Sequence, residues 1–154
     1  MLVHLPLFIF DIMSETDLIK FLLPKIIIAT LCGLIIGWER ELKKKVAGIR
    51  THVLICVGVS LFTSFGQIIG NASGGSFDST RIIGQIITGI GFLGGGVIFK
   101  NEDNIVGITS AAFIWFMASI GVMIGMGYLI SPVLFTLGLV LMLTILSKLE
   151  NKLK

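Results

Sequence analysis

Residues 89–94 read GIGFLG, the G-x-G-x-x-G spacing of a dinucleotide-binding turn, and the fold depends on what surrounds these glycines. A soluble nucleotide fold places a short buried strand before them, a helix after them and an acid about 20 residues further on for the ribose. Here Ile82 to Phe99 carries no charge, and the next acids, Glu102 and Asp103, come too early and sit in a polar break. An uncharged apolar run of about 18 residues or more marks a helix that crosses a bilayer. The glycines therefore read as positions of close helix packing, not as a phosphate cradle.

Working outward, the composition agrees. The chain has 154 residues, 55% hydrophobic and 14% charged, with a mean hydropathy of +1.01, against about 25% charged in an average soluble domain. Its 19 glycines against 3 prolines suit helices that approach closely in lipid. The net charge of +3 does not indicate nucleic acid, because the basic residues cluster at the ends of apolar spans rather than on a soluble face. Cys32 and Cys56 fall within apolar spans at no metal or redox spacing, and read as free, buried thiols.

Charge breaks and turn residues predict an all-α, polytopic membrane bundle with five spans near 21–38, 52–71, 80–99, 107–126 and 129–147. Residues 1–16 read as an interfacial lead-in, 17–147 as the transmembrane domain and 148–154 as a short basic tail. In the first span, Pro24 is expected in the first helical turn and Lys25 is expected to snorkel toward the headgroups. The loop ERELKKKVAGIR (39–50) and the tail SKLENKLK (147–154) carry the Lys and Arg excess of a cytoplasmic side, which predicts an N-out, C-in topology.

Three segments, GLIIG (33–37), GFLGG (91–95) and GVMIG (121–125), share a small-xxx-small spacing and read as packing faces at Gly33, Gly37, Gly91, Gly95, Gly121 and Gly125. At about 100° per residue, Gly84, Thr88, Gly91 and Gly95 fall within about 60° of one another. Beside them lie Arg81 and Gln85. An arginine at a helix N-terminus opposes the macrodipole and calls for an anionic partner. Asp78 can serve as a helix cap with a local ion pair; alternatively Asp78, Arg81, Gln85 and Thr88 form a polar ion site, or Arg81 meets another subunit. Asp78 is the candidate metal ligand, but Mg²⁺ takes one or two carboxylates with several waters. With Asp78 outside and Glu39, Glu41, Glu102 and Asp103 inside, one subunit offers no carboxylate pair within the membrane, so these residues imply no resident cofactor.

On the other side, Glu39 and Arg40 read as a specific ion pair next to the orienting lysines, Thr51 as a cap and His52 as a structural donor. Thr109 and Trp115 in the fourth span read as packing residues. No nucleophile–base pair, H-E-x-x-H motif or paired acids point to enzyme chemistry.

Three stretches, GWERELKKKVAGIRTH (37–52), DSTRIIGQIITGIGFLGGGVIF (78–99) and VGITSAAFIWFMASIGVMIGMGY (106–128), resemble the MgtC/SapB family of bacterial inner-membrane proteins over about residues 20–147. On that resemblance Arg40, Glu41, Lys45, Gly48, Arg50, Thr51, His52, Asp78, Arg81, Gln85, Gly89, Gly91, Gly94, Thr109 and Trp115 occupy signature positions. Ser79 stands where the family usually has proline, and many members carry a further cytoplasmic domain that would follow Lys154. The resemblance implies a role in Mg²⁺ or ion homeostasis, as a transporter component or as a regulator. A regulator would act on partner membrane proteins such as the F-type ATP synthase. The lipid bilayer is the expected environment, with a homo-oligomer as the expected assembly.

Overall fold

The structure is a computed structural model that describes residues 13–72, 79–101 and 104–153. Five helices carry the chain: α1 Glu15–Leu42, α2 Ile49–Ala72, α3 Ser79–Gly96, α4 Ile108–Gly125 and α5 Ser131–Leu153. Between α3 and α4 lies a small antiparallel hairpin, β1 Phe99–Asn101 with β2 Asn104–Val106, registered Phe99 against Val106. Helices α1, α2, α4 and α5 are long and apolar enough to cross a membrane. Helix α3 has the 18 residues of α4, but Arg81, Gln85 and six glycines dilute its apolar content.

The first helix starts earlier than the sequence suggests. Ser14 caps it, its hydroxyl accepting from Asp17 N at 3.2 Å, and Glu15 and Asp17 place acids at the positive end of the dipole. Pro24 therefore sits inside a 28-residue helix, not in its first turn. At the other end of the chain, α5 runs on to Leu153, so the basic tail continues a helix.

Glycines set the two tightest crossings. A Cβ on Gly33 would come 2.6 Å from Val53 Cα, and one on Gly37 2.5 Å from Ile49 Cα, so α1 and α2 pack backbone to backbone. A Cβ on Gly121 would approach Cys56 O at 2.7 Å, and one on Gly125 Ser60 O at 2.7 Å, which fixes α4 on α2. Around these crossings Ala29, Cys32, Ile36, Cys56, Ile114, Met117, Ile120 and Ile124 form a fully enclosed apolar core. Helix α4 can leave the hairpin abruptly because Gly107 adopts φ +94°, where any side chain would run into the Val97 carbonyl. Outside the core the surface is apolar: Leu54, Phe62, Phe92, Leu134 and Leu141 are all exposed, which lipid can cover and water would not favour.

Candidate functional site

The buried cationic side chains of the bundle, Lys25 and Arg40, lie toward its two ends. At one end, where α1 stops and α2 starts, Arg40 and His52 meet Phe113 of α4, with Glu39, Glu41 and Gly48 beside them in the chain turn. The Arg40 guanidinium is buried to 4% exposure and lies over the Phe113 ring, 4.2 Å from its centroid. Its Nη1 stands 3.9 Å from Glu39 Oε2, while Lys43 Nζ pairs with the other oxygen, Oε1. His52 is fully buried and meets the same ring edge-on, with centroids 6.3 Å apart at 84°. Its Nδ1 is 2.7 Å from Gly48 O, and since a carbonyl only accepts, Nδ1 carries the hydrogen.

The neighbouring residues explain the spacing of the loop. Glu41 Oε2 accepts from Ile49 N at 3.1 Å, which caps the first turn of α2 with a carboxylate at its positive end. Gly48 lies so close to that carboxylate that any side chain would displace it. Ala47 fills the buried space beneath, and Lys45 N closes the loop on Arg40 O at 3.1 Å. Arg50 is exposed and Thr51 half-buried, so neither belongs to the enclosed cluster.

At the opposite end, Lys25 does not snorkel. It is 5% exposed, and its Nζ donates to Gly125 O at 2.8 Å and to Ser64 Oγ at 3.1 Å while lying over the Phe21 ring at 3.7 Å. Two hydrogen bonds and a cation–π contact thus hold the ammonium. The reason is electrostatic: α4 ends at Gly125, at the negative end of the helix dipole, and a cation is stabilised there. This site was not legible in the sequence, because its partners lie 39 and 100 residues away.

Helix α3 is arranged differently. Asp78 lies outside the described residues, so the structure does not place it against Arg81. Arg81, Gln85 and Thr88 are exposed; Thr88 Oγ1 donates to Gly84 O of its own helix at 2.9 Å. Arg81 and Gln85 line an open groove between α2 and α3. On another face, a Cβ at Gly84, Gly91 or Gly95 would meet nothing within 4 Å. Trp115 lines a smaller cleft between α3 and α4, and Thr109 is exposed at the start of α4. Among the described residues no three His, Cys, Asp or Glu side chains converge to hold a metal.

Four spanning helices, closed at each end by a buried cation, define a multi-pass membrane bundle. The chain belongs to the MgtC family, whose model matches residues 26–152. It is similar to "Protein MgtC" of Brucella abortus, 41% identical over 64% of this chain and 40% of that protein. It is also similar to "Putative magnesium transporter YhiD" of Escherichia coli K12, 43% identical over 70% of the chain and 52% of that protein. "Protein MgtC" of Salmonella typhimurium is 36% identical over 75% of the chain and 48% of its own length. The chain thus spans about half the length of these relatives, or less. No solved structure matches it.

Proposed function

We propose that the chain serves Mg²⁺ homeostasis in the bacterial inner membrane as a non-transporting regulator, docking a transmembrane helix of a partner membrane protein on α3. One contrast carries this reading: the glycines of α1 and α4 are filled by neighbouring backbone, whereas Gly84, Gly91 and Gly95 of α3 face open space. Glycines facing lipid leave backbone uncovered, while against a second helix they allow close approach. The buried charges favour the same reading. Lys25 and Arg40 are cations, and the residues between them along the core, such as Cys32, Ile36 and Met117, provide no carboxylates for a divalent cation. The loop between α1 and α2 lies on the cytoplasmic side in this reading, as its lysines require.

The second reading, an ion path entered at α3, has one observation in its favour: Arg81 and Gln85 are the polar residues on the wall of the groove. Sealed liposomes containing the folded protein and a Mg²⁺-sensitive dye separate the two. The regulator reading expects no flux above protein-free vesicles. Flux that is lost in Asp78→Asn would overturn it and establish the path at α3.

A further inference from the structure

The open groove between α2 and α3 has a volume of about 720 Å³, and its walls are almost wholly apolar, with Phe62 and Phe65 on one side and Ile82 and Ile86 on the other. At its α3 N-terminal end stand Arg81 and, one turn on, Gln85. The Arg81 side chain has no hydrogen bond or ion pair among the described residues. It is the third residue of α3, so its charge adds to the positive end of the helix dipole. Two like charges placed side by side call for an anion, and the trough leading away from them calls for a hydrocarbon.

The dimensions agree. From residue 81 to residue 93 α3 advances about 18 Å, slightly more than half of a hydrocarbon core of about 30 Å. That is the reach of one leaflet, with the headgroup at the arginine. Exposed Phe62 and Phe65 on α2, with Ile82 and Ile86 on α3, give an acyl chain apolar contact along both walls. The face suited to a helix is the glycine face, about 140° further round α3 at about 100° per residue.

We infer that the α2–α3 groove binds an anionic glycerophospholipid, its phosphate held by Arg81 and Gln85 and one acyl chain laid against Phe62, Phe65, Ile82 and Ile86. The site lies on a different face from the docking glycines and uses no metal, so it is compatible with the regulator reading, whereas the ion path of the second reading would compete with it for Arg81 and Gln85.

The test is native mass spectrometry of the full chain released from nanodiscs of equal phosphatidylglycerol and phosphatidylcholine. One retained phosphatidylglycerol per chain is expected, preferred about five-fold over phosphatidylcholine, the effect of one basic residue near an anionic headgroup. Arg81→Gln should remove the preference, and Arg81→Lys should keep it. Lys148→Gln, an exposed basic residue elsewhere, should change nothing. Gly89→Leu, whose added side chain enters open space on the groove wall, should expel lipid of both kinds without altering helical content. An unchanged preference in Arg81→Gln overturns the site. So does a lipid-free dimer that Gly89→Leu dissociates, which would give the groove to a second copy.

Discussion

Lys25 Nζ donates to the carbonyl oxygen of Gly125 at 2.8 Å, which ties the first half of α1 to the last turn of α4. The bond places a cation where the α4 carbonyls end, and Ser64 of α2 joins it by donating to the same oxygen at 3.2 Å. Lys25→Met keeps the length and apolar stem but removes both donor bonds. It should lower stability by about 2 kcal/mol, the scale of buried bonds from a charged donor between membrane helices. Reversible unfolding in detergent, followed by helical content, measures this. An unchanged midpoint would mean that the ammonium bonds are balanced by the cost of burying the charge.

The loop between α1 and α2 gives a paired prediction. Gly48→Ala should displace the Glu41 carboxylate from Ile49 N and lose the cap of α2, costing about 1 kcal/mol. Glu41→Ala should cost a similar amount. Once Glu41 is truncated, Gly48→Ala no longer has a carboxylate to displace, and the reduced freedom of the unfolded chain makes it neutral or slightly stabilising. A double-mutant cycle on the same unfolding transition reads this directly, and strictly additive losses would show that the two positions act separately.

Arg40 and Phe113 should also couple. With the guanidinium buried over the ring, a cycle of Arg40→Met and Phe113→Leu is expected to give an interaction energy of about 1–2 kcal/mol. Arg40→Lys should not restore it fully, since the stacked, planar group is what covers the ring. A coupling near zero would reduce the stack to mere proximity.

Helices α1, α2, α4 and α5 are legible in the hydropathy of the chain, because a bilayer demands about 20 apolar residues per span, whereas α3, diluted by Arg81, Gln85 and its glycines, is bounded by charge breaks more than by apolar content. The start of α1 is not: Pro24 and Lys25 imitate a helix end, and only Ser14, with Asp17 three residues on, reveals the true cap. The R-E spacing near the GIRTH segment signals a specific loop, yet nothing local shows that Glu41 caps α2 or that Arg40 finds Phe113, some 70 residues later. The buried Lys25 is hidden for the same reason, since a lone lysine near a span end is most simply read as snorkelling. Equal small-xxx-small spacings also concealed a difference: the structure fills the faces of α1 and α4 and leaves that of α3 open.

That difference yields the prediction that bears most on function. Gly121→Leu or Gly125→Leu drives a side chain into the α2 backbone, at Cys56 O or Ser60 O, and should abolish assembly of the bundle. Gly91→Leu and Gly95→Leu place the same side chain in open space, so the purified protein should keep its helical content and its unfolding midpoint to within about 0.5–1 kcal/mol. If α3 docks a partner helix, these two variants should nevertheless fail to support growth at limiting Mg²⁺ in a bacterium lacking its own family member, because the close approach is blocked. The two readouts together separate the causes of failure: folded protein without rescue assigns the face to docking, whereas folded protein with full rescue removes α3 glycines from function. Loss of folding in Gly91→Leu would instead make the face part of the core.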